Sequence, residues 1–245
     1  MYLWQWAHLA RLEGQRAFVL ETPVGRDWLR EFPLLPPLSL APSALRLLDA
    51  RVLAGRYCFD LDFDRQQSAR FCRDLVASSP SFRRRLERTA DHVGPNTVVI
   101  NVRRGDYYTD PRFTWAFGID VVAHVREALQ MLDRDGISFD DLVIVSDDLP
   151  WCTENLGEVL PARPRTVPGR TGPFDDLAVL SSASTLILAN STFSYWGSYI
   201  AASRLPRHRA IAPSHHERLD IGGTSSPMFD PLWARTSPHP FPAAP

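Results

Sequence analysis

The chain has 245 residues, of which 44% are hydrophobic and 22% are charged, and its formal net charge is −1 at pH 7. These proportions are those of globular proteins and exclude wholesale disorder, collagen and coiled coil. A net charge close to zero argues against a general nucleic-acid binder, which carries a basic excess. All 27 basic residues are arginine. No lysine is therefore available as a Schiff base or as a phosphate-loop ligand.

The cysteines and the apolar runs indicate the compartment. Cys58, Cys72 and Cys152 are widely spaced and odd in number, which is typical of a reducing compartment rather than of a disulfide framework. No run approaches about 18 consecutive apolar residues, so we expect no transmembrane helix. Residues 1–7 lack the basic region of a signal peptide. We therefore expect a cytoplasmic protein, with peripheral contact at the inner face of the membrane as the alternative.

The first 95 residues show a mixed pattern of elements. A proline-rich stretch over residues 32–42 predicts an extended connection. The periodicity of apolar residues predicts one strand at 16–21 and helices at 3–12, 44–53, 67–77 and 81–91.

From residue 97 the chain alternates regularly between strands and helices. The predicted strands are 97–102, 142–145, 186–189 and 209–212, and the predicted helices are 119–132, 150–156, 174–182 and 193–202. Such alternation is the signature of a parallel sheet with right-handed crossovers. We place a domain boundary near residue 95. Residues 237–245 contain four prolines and no periodicity, so we expect them to form a loose tail.

Two arginines directly follow the strand at 97–102, in the segment NVRRGDY at 101–107. In open α/β sheets, ligands bind beyond the carboxyl ends of the strands. Guanidinium groups match phosphate bidentately and need no metal to do so. The alternative is an Arg–Asp ion pair that only fixes the loop. Arg104-Gly105-Asp106 is also the adhesion tripeptide, a function that we do not expect of a cytoplasmic chain.

Polar residues follow two further strands. Asp147 and Asp148 follow a strand and precede a short helix. They are candidates for a ligand site at the strand end, and the alternative is that they only cap the helix. The segment ANSTFSYWG at 189–197 lies between a strand and a helix. Backbone N–H groups and the helix dipole favour a phosphate at such a place, and capping is again the alternative. Together the three strand ends predict a cleft for an anionic ligand.

These segments resemble, in order and spacing, the motifs of the α-1,2-fucosyltransferase family, glycosyltransferase family 11. The family carries H-x-R-x-G-D-Y, then S/N-D-D-x-x-W-C, then D-L-x-L-M-S followed by A-N-S-T-F-S-W-W-G. Here the corresponding segments are NVRRGDY at 101–107, SDDLPWC at 146–152, DLAVLS at 176–181 and ANSTFSYWG at 189–197. The resemblance covers mainly residues 97–213.

The resemblance implies an α/β enzyme that is GT-B-like, with two Rossmann-like domains built on parallel sheets. Residues 1–95 would be the acceptor-side domain and 96–236 the GDP-sugar-binding domain. The enzyme would transfer fucose from GDP-fucose to the 2-hydroxyl of a galactoside in a surface glycan, inverting the anomeric centre. It would need no metal and no other cofactor. The acceptor would be a galactose-terminated oligosaccharide or a lipid-linked glycan.

The resemblance also implies roles for the residues of the first motif. Arg103 would hold the pyrophosphate of the donor, and Arg104 would support the loop. Asp106 is our candidate for the base that takes the proton of the acceptor hydroxyl. Asn101 stands where the family has histidine, so it can hydrogen-bond a ribose or a base edge but cannot titrate.

The remaining motif residues would bind the donor. By the resemblance, Asp176 would lie near the guanine. The other predicted substrate-binding residues are Asp147, Asn190, Ser191, Thr192 and Ser194.

The beginning of the chain departs from the family. The family opens with a strand and a glycine turn, whereas residues 1–7 resemble the helix that follows that turn. We interpret the missing strand and glycine turn as a sign that the true start of the protein lies upstream. The alternative is a catalytically impaired relic that still binds a GDP-sugar. A second alternative is a metal-dependent GT-A enzyme that uses the D-x-D units of Asp60, Asp62 and Asp64. We read these acids instead as the polar face of an exposed strand.

Overall fold

The computed structural model describes residues 1–46, 63–218, 228–239 and 241. Within these residues, the strands form two parallel sheets. The smaller sheet pairs β1 (Val19–Leu20) with β2 (Ser39–Leu40). The larger sheet contains β3 (Thr97–Val102), β4 (Asp141–Ser146), β5 (Thr185–Ile187), β6 (Arg209–Ala212) and β7 (Ala234–Arg235).

The helices of the described residues are α1 (Tyr2–Leu12), α2 (Arg26–Glu31), α3 (Arg65–Ser78), α4 (Pro80–Ala90), α5 (Gly105–Thr109), α6 (Pro111–Phe117), α7 (Val121–Arg134), α8 (Leu149–Asn155), α9 (Pro173–Leu180) and α10 (Thr192–Arg204). Local side chains define several of the starts. The Ser79 hydroxyl accepts the Phe82 N–H at 3.0 Å at the start of α4. The Asp120 carboxylate accepts the Ala123 N–H at 2.9 Å at the start of α7.

The strand order of the larger sheet is β4-β3-β5-β6-β7, and neighbouring strands run parallel. Counted along the chain within this sheet, the order is 2-1-3-4-5, a doubly wound arrangement. The strand order reverses between β3 and β5, where such sheets bind their ligands. The predicted α/β class with parallel sheets is therefore confirmed.

Alternate residues of the sheet face two different cores. Val99, Val143 and Leu186 face the core that α1, α3, α4, α9 and α10 cover. Val98 and Ile100 face the core that α7 and α8 cover. All six residues of β3 are buried, as expected for a central parallel strand. The first core is continuous from α1 to β6, so the boundary predicted near residue 95 does not separate two cores among the described residues.

Most elements begin and end within two residues of their predicted limits. This holds for α1, α3, α4, α7 to α10 and β3 to β6. The strand predicted at 16–21 is reduced to Val19–Leu20. The short α2, α5 and α6, and the two-residue strands β2 and β7, were not predicted. The helix predicted at 44–53 lies mostly outside the described residues.

The tail predicted to be loose is bonded to α7 where the structure describes it. The backbone N–H and the hydroxyl of Ser237 donate to the Glu127 carboxylate at 3.0 and 2.9 Å. His239 Nε2 lies 2.6 Å from the same carboxylate. The prediction is therefore wrong for these residues, because a proline-rich composition does not reveal a carboxylate partner on a distant helix.

Two sequence expectations concern membranes and thiols. None of the helices in the described ranges has both the length and the apolar composition to cross a bilayer. Cys72 and Cys152 are buried free cysteines. Burial raises the pKa of both thiols, so neither is a reactive thiolate at neutral pH. Cys58 lies outside the described residues.

The close approach of α9 and α10 yields a first prediction. A Cβ at Gly197 would lie 2.5 Å from the Leu180 Cβ. We expect Gly197→Ala to lower the free energy of unfolding by about 1–3 kcal/mol, the usual range for overpacking. Urea denaturation followed by circular dichroism measures this. The control is Gly157→Ala, whose new Cβ would lie 3.8 Å from the nearest atom; an equal loss in both variants would contradict the prediction.

Candidate active site

The loops that follow β3 and β4 meet at one edge of the sheet. The two strands are parallel and in register, with Val102 opposite Ser146, so the loops begin at the same level. Arg103 Nη1 lies 2.7 Å from Asp147 Oδ2. Its Nη2 donates to Asp106 Oδ1 at 2.6 Å. The structure thus brings together three of the predicted site residues.

A glycine makes this approach sterically feasible. Gly105 has a backbone φ of +25°, a value that residues other than glycine rarely adopt. A Cβ at this position would lie 2.7 Å from Asp147 Oδ2. The turn that begins α5 and the contact of Asp147 with the arginine loop therefore both require glycine here.

The side chain of Arg104 packs against protein groups of the two loops and is mostly buried. Its guanidinium lies between two aromatic rings, with Cζ 4.2 Å from the centroid of Tyr108 and 4.0 Å from that of Trp151. Its backbone N–H donates to Asp147 Oδ1 at 2.8 Å, and its Nε lies 3.4 Å from Asp148 Oδ2. These contacts hold the loop that follows β3 against the loop that follows β4. Sequence reasoning missed the two rings, although Trp151 lies within a matched motif and Tyr108 directly follows another.

Three further predicted residues use their polar groups inside the protein. Asn101 Nδ2 donates to the Val145 carbonyl of the neighbouring strand at 2.9 Å. Asn190 Nδ2 donates to the Phe117 carbonyl at 2.6 Å. The buried Ser194 hydroxyl accepts the Ala189 N–H at 3.2 Å. All three side chains are buried, so these bonds tie the strand ends and loops together.

Asp148 and Asp64 are helix caps. Asp148 accepts the Trp151 N–H at 3.2 Å at the start of α8. Asp64 accepts the Gln67 N–H at 2.8 Å, while Gln67 accepts the Asp64 N–H, which completes a capping box at the start of α3. The carboxylate of Asp64 is therefore engaged in the fold. The other two acids of the D-x-D segment, 60 and 62, lie outside the described residues.

Hydroxyl groups lie at the start of α10. Ser191 is the N-cap residue, yet its side chain makes no capping hydrogen bond. Thr192 is exposed at the first helical position. This helix has 13 residues, so its first N–H groups carry the partial positive charge of a helix N-terminus. The hydroxyls of Ser191 and Thr192, unlike that of Ser194, therefore lie at the start of this helix together with backbone N–H groups that attract anions.

Asp176 lies at the start of α9 beside an arginine that sequence reasoning missed. Its Oδ1 is 2.9 Å from Arg170 Nη1. Burial raises the pKa of Asp176 above its usual value, and the charge of Arg170 opposes that rise. The charges of Asp175 and Asp147 also raise this pKa.

The match to a family model decides what kind of protein carries this site. The model described as "Glycosyl transferase family 11" matches residues 65–205. That range is more than half of the chain and contains every residue discussed above from Asn101 to Ser194. The chain belongs to glycosyl transferase family 11. Its membership confirms the family that the motifs indicated.

Named relatives of this family 11 chain share about a third of its residues over the matched part. The Galactoside alpha-(1,2)-fucosyltransferase 1 of Leontocebus fuscicollis is 32% identical over 130 residues, which are 51% of this chain and 34% of that protein. The Alpha-1,2-colitosyltransferase of Escherichia coli is 28% identical over 109 residues, or 43% and 36%. The match thus spans about a third of the length of each relative.

Solved structures show a weaker likeness. The crystal structure of POFUT1 in complex with GDP-fucose superposes with a TM-score of 0.45 at 12% identity, covering 78% of this chain and 58% of that one. A second crystal form of the same complex gives a TM-score of 0.43 at 13% identity, with coverages of 76% and 58%.

A large cavity opens beside the start of α10. It has a volume of about 730 Å³, and Thr192, Phe193 and Phe117 lie on its wall. Other lining residues come from the N-terminal part of the family 11 chain and are mostly aromatic and aliphatic, among them Tyr2, Trp4, Val24 and Trp28. Sequence reasoning did not find this cavity, because its lining comes from segments that are far apart in the chain.

Among the residues that the structure describes, no group of three or more His, Cys, Asp or Glu side chains could hold a metal ion. The positive charge at the open edge comes from Arg103 and the start of α10.

The acid next to Asp176 joins α9 to α4. The buried Asp175 accepts the Thr171 N–H at 2.9 Å and the Thr171 hydroxyl at 3.0 Å. It also accepts hydrogen bonds from Arg85 and, at 3.3 Å, from Arg88. Burial by itself would raise the pKa of Asp175, but the hydrogen bonds from Thr171 and Arg85 outweigh it and lower the pKa below its usual value.

This network yields a pH-dependent prediction. Because the pKa of Asp175 is lower in the folded state, its stabilisation is complete above the unfolded value of about 3.9 and is lost as the pH falls through the folded value. We expect Asp175→Asn to lower the free energy of unfolding by about 1.5–3 kcal/mol at pH 7, the range for hydrogen bonds to charged groups. The deficit should shrink below about pH 4.

Urea unfolding at pH 7 and pH 3.5 measures both effects. The control is Asp27→Asn, which removes an acid from the exposed Arg30 pair and should change stability by less than about 1 kcal/mol. A deficit for Asp175→Asn that stays constant over this pH range would contradict the assignment.

Proposed function

We propose that this chain is an inverting fucosyltransferase that transfers fucose from GDP-fucose to the 2-hydroxyl of a galactoside in a surface glycan. One observation carries the proposal. Arg103 lies at the strand-order reversal of a parallel sheet, held by Asp106 and Asp147, where such sheets bind phosphorylated ligands. The family membership and the names of the relatives support the same activity.

The donor would lie across the loops after β3 and β5. Arg103 would bind the diphosphate, since a guanidinium matches phosphate oxygens bidentately. The hydroxyls of Ser191 and Thr192 and the first N–H groups of α10 would donate to the same oxygens. Asp176 would accept from the amide and amino N–H groups of guanine, a donor pattern that uracil lacks. These contacts explain why the donor would be a guanine nucleotide sugar.

The reaction would proceed through a transition state that resembles an oxocarbenium ion, as in glycoside hydrolysis. The acceptor oxygen forms a bond to the anomeric carbon of fucose, and the bond from that carbon to the phosphate oxygen breaks. Its electron pair leaves with GDP, where Arg103 stabilises the growing negative charge. The hydroxyl proton passes to the Asp106 carboxylate. Because attack and departure occur on opposite faces, the anomeric centre inverts.

The cavity beside Thr192 would hold the acceptor. Its wall begins at the donor-binding helix start and continues over aromatic side chains such as Trp4 and Trp28. Aromatic faces stack on the apolar faces of sugar rings and cover lipid chains equally well. A galactose-terminated oligosaccharide or a lipid-linked glycan would therefore suit this space. Arg103 and the start of α10 supply the positive charge for the leaving group, so we propose a reaction that needs no divalent cation and no cofactor.

Ligand-dependent thermal unfolding tests the donor half of the proposal. We expect GDP and GDP-fucose at about 100 times their dissociation constants to raise the Tm by roughly 5–10 °C, corresponding to about 2.7 kcal/mol. UDP should leave the Tm unchanged, and EDTA should not reduce the shift. Arg103→Ala should abolish it, whereas Arg112→Ala, which removes an exposed arginine that pairs with Asp110, should retain it. A folded protein with no GDP-dependent shift would sink the proposal.

Product analysis tests the transfer half. With GDP-fucose and a galactose-terminated oligosaccharide, we expect fucose on the galactose 2-hydroxyl, with the anomeric configuration opposite to that of the donor. Nuclear magnetic resonance of the product reports both features. We expect Arg103→Ala to lower the rate by about 10²–10³, the usual effect of losing one such stabilising contact. The 2-deoxygalactose analogue of the acceptor is the matched control, and fucosylation of that analogue would contradict the proposed linkage.

A further inference from the structure

Two carboxylates share the guanidinium of Arg103, and they differ in how firmly they are held. Asp147 Oδ2 lies 2.7 Å from Nη1, and Asp106 Oδ1 accepts from Nη2 at 2.6 Å. A diphosphate that binds this guanidinium must therefore meet an arginine whose two terminal nitrogens are both engaged. Each terminal nitrogen carries a second N–H, but the two carboxylates compensate the positive charge that attracts the diphosphate and so compete with it. The structure indicates which of them is displaced more easily.

Asp147 is fixed by bonds on both of its oxygens. While Oδ2 contacts Arg103, Oδ1 accepts the backbone N–H of Arg104 at 2.8 Å. The α-carbon of Gly105 packs against the same carboxylate, since a Cβ there would lie 2.7 Å from Oδ2. Its side chain is 29% exposed. Moving Asp147 would break the bond between the two loops and not only the ion pair.

The Asp106 carboxylate makes fewer contacts than the Asp147 carboxylate. Its carboxylate accepts one hydrogen bond among the described residues, from Arg103. Its side chain is 50% exposed and stands on the first turn of α5, a helix of five residues. Exposed ion pairs of this kind contribute little to stability, because water solvates both partners. Rotation of this side chain would cost the ion pair alone.

We propose that Asp147 is the positioning residue that keeps Arg103 in place throughout, and that Asp106 is the partner that the diphosphate of the donor replaces. This inference rests on the proposed function. Arg103 exchanges one anion for another at Nη2 while Nη1 remains on Asp147. The exchange frees the Asp106 carboxylate beside the bound donor, where it takes the proton of the acceptor hydroxyl. Asp106 is thus engaged with Arg103 until the donor arrives, which predicts that the donor binds before the acceptor.

The two carboxylates should therefore have opposite effects on nucleotide affinity. Isothermal titration calorimetry with GDP measures this on the full chain. We expect Asp106→Asn to tighten GDP binding about two- to fivefold, because a competing anion worth as much as an exposed ion pair is gone. We expect Asp147→Asn to weaken GDP binding about tenfold or more, because the charge partner that orients Arg103 is lost.

Transfer kinetics give a second readout that a purely structural role would not reproduce. Asp106→Asn should lower both kcat and the KM for GDP-fucose, since it binds the donor more readily but lacks the proton acceptor. Asp147→Asn should mainly raise the KM for GDP-fucose. The control is Asp110→Asn, which removes an acid five residues after Gly105 that pairs with Arg112 and not with Arg103. It should leave GDP affinity and kcat close to those of the unaltered chain.

The outcomes separate the inference from the proposed function. Tighter GDP binding by Asp106→Asn, with weaker binding by Asp147→Asn, supports the exchange. Weaker binding by Asp106→Asn overturns it, because Asp106 would then be a second fixed brace. That result can be read even when Asp147→Asn fails to fold, which circular dichroism reports. An unaltered chain that binds no GDP overturns the proposed function and the exchange together, whereas a chain that binds GDP with both variants weakened overturns the exchange alone.

Discussion

The Asp147 carboxylate joins the two loops at the edge of the sheet, and the geometry of the candidate site depends on this contact. One oxygen holds the backbone of the arginine loop at Arg104, and the other holds the guanidinium of Arg103. The contact is available because β3 and β4 are parallel and in register. In an antiparallel pair, the residues after the two strands would lie at opposite ends of the sheet.

Much of the polar content of the motifs serves the fold. Asn101, Asn190 and Ser194 are buried and bond to backbone groups of neighbouring strands and loops, as buried polar groups generally do. Arg104 is clamped between two aromatic rings. These residues hold the loops in place, and fewer polar residues, Arg103 among them, lie at the open edge of the sheet. A site built this way is preorganised, because bonds within the protein hold its loops.

Local patterns predicted the elements that pack against the sheet. The alternation of short β-branched runs with amphipathic helices placed β3 to β6 and α7 to α10 closely, because burial imposes those periods on the sequence. The same reasoning missed α5 and α6, which are short and lack a buried face. It also misjudged Ser237 to His239, whose order comes from Glu127 on a distant helix. Contacts of this kind join residues far apart in the chain, so no local pattern records them.

The sequence by itself determined the α/β class, the parallel sheet, the family and the residue types at the strand ends. These follow from local periodicity and from motifs that are contiguous in the chain. Only the tertiary structure decided which motif residues face the open edge and which brace the loops, and it alone revealed Arg170 beside Asp176 and the aromatic cavity. Whether a motif residue faces the open edge or braces a loop depends on which side chains lie within contact distance of it. That distance depends on strand register and on the packing of remote segments, which a linear pattern does not contain.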